Sequence, residues 1–308
     1  MLLPLYVSRN GVLITPAQAC VPVFNSALFG AYGVYEAMQV SRGVVFELDA
    51  HLQRLARSAS ILELPLPADL PTLAAWTAEV LAANAATDCA LQLFVVGAEN
   101  GDETTAFIWP RPPIVHPARF YSQGASAVTF AGQRFLPEAK SLNTLVSYLA
   151  RRHAQRAGAH EGLLHHDGYL TEGASSNLFA VIDGVVITPP APEVLSGVTR
   201  DIVMGLAARD GIAVREGRLA LSELPRWQEC FITSTSRHVM PITTIDGQPV
   251  GNGQVGPVTR RLMALFESYF EQAITRALGG MVMSLHEDMP VACPVGAVGG
   301  VARESGLR

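Results

Sequence analysis

Apolar positions along the chain change spacing several times, and each change marks an element. Residues 43–49 (GVVFELD) form a short apolar run that ends at a turn, which predicts a strand. From Ala50 to Leu64 the residues Leu52, Leu55, Ala59 and Leu62 recur three or four apart, the spacing of one helical face. A second helix is predicted from Leu70 to Asn84, followed by strands at 90–98 (ALQLFVVGA) and 106–110 (AFIWP). Together these predict a small α/β domain over residues 1–115. The segment RPPIVHPA (111–118) suits neither helix nor strand because its prolines lack N–H donors, so the domain boundary is placed there. Catalytic clefts often lie at such junctions.

Beyond the boundary comes SAVTFAGQRF, after which a helix is predicted from Leu142 to Arg156. Residues 161–189 (EGLLHHDGYLTEGASSNLFAVIDGVVITP) alternate in short apolar runs. Asp167-Gly168 and Asp183-Gly184 fall between them as hairpin turns, so successive antiparallel strands are expected. Helices are predicted at 199–210 and 257–274, completing a large domain over 119–275. Residues 276–308 show no sustained period and many breakers, which predicts an irregular tail.

Composition narrows the partners. The chain of 308 residues is 49% hydrophobic and 16% charged, enough for a sizeable core, and its net charge of −5 comes with no basic block. Neither a nucleic acid nor a membrane surface is expected as partner, which leaves a small molecule. Cys20, Cys89, Cys230 and Cys293 have no CxxC spacing and are too sparse for a disulfide framework, so no metal site and a cytoplasmic location are expected. The start MLLPLYVSRNGVLI lacks the features of a signal peptide.

One residue type then changes the picture. Of 22 lysines and arginines, Lys140 is the single lysine. An ε-amine can lose its proton and attack a carbonyl to form a Schiff base, whereas guanidinium stays charged, so Lys140 is a candidate covalent anchor for an aldehyde cofactor. Codon bias toward arginine explains the count equally well. Pyridoxal phosphate also needs a carboxylate at its ring nitrogen and donors for its phosphate. Glu172, followed by Gly173, offers the first, since an opposite charge stabilises a pyridinium. For the second, Gly197-Val198-Thr199 opens an apolar-periodic helix whose N-terminus carries unpaired N–H groups. The hydroxyl run Thr233, Ser234, Thr235 and Ser236 and the guanidinium of Arg54 could join them. Taken singly, Glu172 also fits a hairpin end, Thr199 an N-cap and Arg54 a solvated helix face.

The segments FGAYGVYEAMQV, FELDAHLQRLARSA, KSLNTL, DGYLTEGASSNLF, VLSGVTRDIV, ECFITSTSRHVMPI and IDG, in that order over residues 20–270, resemble the fold-type IV (class IV) pyridoxal-phosphate aminotransferases. That family includes D-amino-acid, branched-chain and (R)-amine transaminases and aminodeoxychorismate lyase. The resemblance implies an α/β (α+β) two-domain enzyme, a small α/β domain beside a larger pseudo-barrel β domain with helices. It also implies a homodimer with the site between the domains. By motif position, Lys140 would bind the cofactor and shuttle a proton, and Glu172 would pair with the pyridine nitrogen. Arg54, Val198, Thr199, Ser234 and Thr235 would hold the phosphate, Leu195 would pack behind the ring, and Tyr35 would line the substrate pocket.

An amino donor and a 2-oxo acid acceptor are the implied substrates, in a ping-pong cycle; a lyase would use the same carbanion for elimination, and a decayed site would only bind. Aminodeoxychorismate lyases place hydroxyl residues where this chain has Glu36 and Ala37. Branched-chain enzymes resemble one another in a tyrosine and an arginine where this chain has Leu145 and Gln39. KSLN, GVYEA and TEGASSN are most similar to D-amino-acid transaminases. Those bind the substrate carboxylate through an arginine and a histidine in a loop that here reads VVGAENGDETTAF, with neither. Arg237 with His238, beside Ser236, is the expected substitute, and relaxed specificity that extends to (R)-amines is the alternative.

Overall fold

A computed structural model describes residues 3–98 and 103–287, with the side chains of 280–287 left aside. The first part folds as a six-stranded sheet. Its strands are β1 (Val7–Arg9), β2 (Val12–Ile14), β3 (Gly33–Ser41), β4 (Val44–Val45), β5 (Cys89–Gly97) and β6 (Thr104–Arg111), in the order β2-β1-β6-β5-β3-β4. Helices α1 (Ser26–Phe29), α2 (Leu48–Ile61) and α3 (Leu70–Ala83) accompany it. Asp69 starts α3 by accepting from the Thr72 N–H at 2.9 Å. The inward face of α2 is divided: Leu52, Leu55 and Ala59 join the sheet core, while His51, Arg54 and Ser58, one face over, are buried polar groups. Part of the expected acidic loop, residues 99–102, lies outside the described residues.

The second part is built from α4 (Arg119–Ser122), β7 (Ala125–Ala131), α5 (Leu145–Arg156), β8 (Glu161–His166), β9 (Tyr169–Gly173), β10 (Ser176–Ile182) and β11 (Val185–Thr188). It continues through α6 (Val198–Arg209), β12 (Val214–Glu216), β13 (Leu219–Ala220), β14 (Glu229–Ser234), β15 (His238–Ile245), β16 (Gln248–Pro249) and α7 (Pro257–Glu287). The sheet order is β12-β11-β10-β14-β15-β7-β8-β9-β13. Because β9 also pairs with β10 through Gly173↔Ser176 and Glu172↔Asn177, six strands from β10 to β9 close into a ring. This is the expected pseudo-barrel. Leu163, Leu178, Ala180, Trp227 and Ile232 belong to one core cluster, while Phe179, Val181 and Phe231, on the alternate positions of β10 and β14, pack with α6 and α7.

Two expectations need correction. The run 43–49 is not one strand: β4 ends at Val45, and Glu47, at φ 51° in the left-handed region, turns the chain into α2. The run is apolar because Phe46 packs against Phe270 of α7, with ring centroids 4.8 Å apart, and so serves the contact between the two parts. Secondly, the tail is not irregular from residue 276, since α7 continues to Glu287; the expectation for 288–308 lies outside the described residues. Buried Glu229 caps α7 by accepting from the N–H groups of Val258 (3.1 Å) and Thr259 (2.7 Å). Among the described residues no helix is long and apolar enough to cross a membrane, and no group of His, Cys, Asp and Glu has the makings of a metal site.

Candidate active site

Between the two parts lies a cleft lined by Tyr35, Arg54, Arg134, Lys140 and Glu172, by Leu195 and Gly197 to Thr199, and by Thr233 to Thr235. Its lysine is held by backbone. The Tyr35 N–H donates to the Lys140 carbonyl (3.0 Å), the Leu142 N–H donates to the Gly33 carbonyl (2.9 Å), and Ser141 pairs with Val34 in an antiparallel bridge. The Lys140 N–H itself donates to Ser58 Oγ of α2 at 3.0 Å. Gly33 permits this close seam, since a Cβ there would sit 2.5 Å from the Val95 carbonyl oxygen and 2.6 Å from Leu142 Cδ1. The Lys140 Nζ then lies 4.5 Å from the centroid of the Tyr35 ring. That positive charge lowers the pKa of the Tyr35 hydroxyl against the opposing effect of burial.

Glu172 lies at the end of β9 and is buried, and burial raises its pKa. Arg134 opposes that rise. One of its Nη atoms lies 3.4 Å from Glu172 Oε1 and also donates to the Pro137 carbonyl at 2.9 Å, while the other donates to the carbonyl of Ala139, next to the lysine. At the opposite end, Gly197 precedes α6 with no side chain capping it. Asn177, opposite Glu172 in the hairpin, donates to the Leu195 carbonyl at 2.8 Å and supports this turn. A Cβ on Gly197 would lie 1.9 Å from Asn177 Oδ1, so any larger residue there must displace the Asn177 side chain. Thr199 is buried, and Thr233, 1% exposed, has a hydroxyl with no partner. An uncapped helix start beside an orphan buried hydroxyl suits a phosphate, so the residues present fit the cofactor.

Arg54 does not stand free. Its Nε and Nη2 donate to the two carboxylate oxygens of fully buried Glu36 at 2.7 and 2.6 Å, and its Nη1 reaches the Ser196 carbonyl at 3.3 Å. Ser236 and Arg237 are not among the lining residues. Arg237 adjoins the lining, with Nη1 3.1 Å from Ser175 Oγ and Nη2 3.4 Å from Glu161 Oε2. His238 faces away, its ring bridging Gln39 Oε1 (2.8 Å) and Glu267 Oε2 (3.3 Å). Sequence reasoning missed Arg134, Asn177, Ser58 and the Glu36 partner of Arg54. Asn177 alone carried a usable signal, its place opposite Glu172 across a tight hairpin.

A lysine, a buried carboxylate and an uncapped helix start meeting at a junction between a sheet domain and a closed strand ring define the site of a pyridoxal-phosphate enzyme. The chain belongs to the class IV aminotransferases: the family model for amino-transferase class IV matches residues 33–245. Its activity is accordingly that of a transaminase, with pyridoxal phosphate as cofactor and amino and 2-oxo acids as substrates. It is 32% identical over 271 residues to a D-alanine aminotransferase of Bacillus licheniformis, covering 84% of this chain and 95% of that protein. It is 35% identical over 275 residues to a putative branched-chain-amino-acid aminotransferase of Methanocaldococcus jannaschii, covering 84% and 94%. Among solved structures, the Escherichia coli branched-chain amino acid aminotransferase superposes with a TM-score of 0.80 at 31% identity, covering 87% of this chain and 95% of that one. The T.th. branched-chain amino acid aminotransferase with pyridoxamine 5'-phosphate gives 0.81 at 27% identity, covering 86% and 94%.

Proposed function

We propose that this aminotransferase moves the amino group of a D-amino acid to a 2-oxo acid in a ping-pong cycle, as a homodimer. The observation that carries the chemistry is that one cleft gathers Lys140, Glu172 and the Gly197–Thr199 turn. When bound, the cofactor supplies the electron sink into which the substrate Cα–H bond is weakened. Lys140 Nζ, fixed over the Tyr35 ring, is the group that takes and returns that proton. Glu172 would pair with the pyridine nitrogen and keep it charged, and Leu195 would back the ring. Val198 and Thr199 offer helix-start N–H groups and Ser234, Thr235 and Thr199 offer hydroxyls to the phosphate, with Arg54 Nη1 beside them.

The D-amino-acid assignment draws support from KSLN and TEGASSN and from the D-alanine aminotransferase relatives. Leu145 and Gln39 weigh against the branched-chain reading, which the solved structures favour as the second choice. Arg237 and Ser236 are proposed to meet the substrate carboxylate at the cleft edge, where Arg237 would exchange Glu161 for the substrate. Exposed Phe24, Phe29, Leu145 and Tyr148 offer apolar surface for the second copy. Purified protein should show the visible band of lysine-bound pyridoxal phosphate, bleached by D-alanine and unaffected by L-leucine or an (R)-amine. Bleaching by L-leucine alone would overturn the donor assignment, and an undiminished band in Lys140→Ala would overturn the anchor.

A further inference from the structure

We infer that Glu36 is a positioning residue of the phosphate subsite, acting through Arg54. Alternation along β3 points Tyr35 and Glu36 to opposite faces, so the residue beside the substrate-facing tyrosine is sent toward α2. There it is fully buried, and it is met by both Nε and Nη2 of Arg54 and by His51 Nδ1 at 2.9 Å. Burial raises a carboxyl's pKa, yet the guanidinium beside Glu36 holds it well below the ordinary range, so the carboxylate is charged. A buried pair of this kind adds little to stability compared with apolar side chains of the same volume. What it does add is geometry.

An arginine has five N–H donors on a long, rotatable stem. Two edges of this one are consumed by Glu36, which leaves Nη1 directed at the Ser196 carbonyl, one residue before the turn that starts α6. The pair is also neutral as a unit. A phosphate arriving at Gly197–Thr199 therefore meets a fixed donor without a free cation, and its charge is balanced by the helix start and the hydroxyls around it. The inference rests on the assignment of Arg54 to the phosphate.

The test compares pyridoxal phosphate with pyridoxal, which has the aldehyde and ring but no phosphate, binding to cofactor-free protein by absorbance and fluorescence. Wild type should prefer the phosphorylated form strongly; absence of any preference would overturn the phosphate assignment itself. In Glu36→Gln, which is isosteric, affinity for pyridoxal phosphate should fall by about tenfold or more while affinity for pyridoxal stays unchanged. Glu36→Asp should recover part of the preference. Equal losses for both ligands, or no loss for either, would overturn the positioning role while leaving the phosphate assignment intact. Should Glu36→Gln fail to fold with its stranded guanidinium, the same question is put to Arg54→Gln, whose buried Glu36 carboxyl can take up a proton, and to Glu36→Gln/Arg54→Gln, in which neither charge remains. Equal preference in these two supports action through Arg54, and a further loss in the double variant refutes it.

Discussion

Replacing Arg134 by Met keeps the length of the side chain and removes its charge, and the structure sets the size of the effect. Arg134 donates to the Pro137 and Ala139 carbonyls and is the charge partner of buried Glu172. Breaking a buried pair from one side costs about 3–5 kcal/mol, and bonds from a charged donor contribute about 1.5–3 kcal/mol each. These overlap, so a loss of about 3–4 kcal/mol is expected for the cofactor-free protein at about pH 8. The sign of its pH dependence follows from Glu172. Burial raises this carboxyl above its unfolded value of 4.5, so the folded state binds the extra proton and stability falls as pH climbs from there through the folded value. Without Arg134, the largest influence opposing burial, the folded value moves higher and the penalty extends further toward neutrality. Urea unfolding at a series of pH values should therefore show the deficit of Arg134→Met growing as pH rises from the wild-type folded value of Glu172 through the variant's higher one. The slope should be about 1.4 kcal/mol per pH unit while Glu172 titrates. Glu172→Gln in the same background should flatten it. A deficit below about 1 kcal/mol, or one equal at every pH, would refute the pairing.

Gly197→Ala places a methyl 1.9 Å from Asn177 Oδ1 and should weaken pyridoxal phosphate binding by about tenfold or more, with pyridoxal little affected; the added change Asn177→Ala should restore part of it. Glu36 has the opposite pH behaviour to Glu172. Its folded pKa lies below 4.5, so its contribution is fully present above that value and is lost as pH falls through the folded value. Acid unfolding of cofactor-free Glu36→Gln/Arg54→Gln should therefore be less steep than that of wild type, and identical acid limbs would contradict the assignment.

What the sequence disclosed and what it hid divide by distance along the chain. Lys140, Glu172, Leu195, Val198 and Thr199 belong to compact motifs, in which a turn, a glycine and a helix start announce themselves within a few residues, and all of them line one cleft. The α2 stripe of Leu52, Leu55 and Ala59 was legible for the same reason. Arg134 sits in a loop with no period, and its partner is 38 residues away, so no local pattern betrays the pair. The Glu36–Arg54 bond spans a strand and a helix, and a reading of α2 by hydropathy sees an arginine on a surface. Phe46 misled because an apolar run looks alike whether it fills a strand or plugs a contact between domains. The last turns of α7 run through glycines, and local propensity there undervalued the preceding helix, whose buried Phe266, Phe270 and Ile274 anchor it.

The backbone seam between Lys140–Leu142 and the start of β3 has an entropic meaning. Ordering a residue costs about 1–2 kcal/mol, and here that cost falls once, during folding. In a ping-pong cycle the amine must release its partner and recapture it in every turnover. An amine whose main chain is tied to β3 and α2 searches only its own side-chain rotamers, so recapture is an intramolecular event of high effective concentration. Loosening the seam, even with every cleft side chain kept, would turn that return into the slow step.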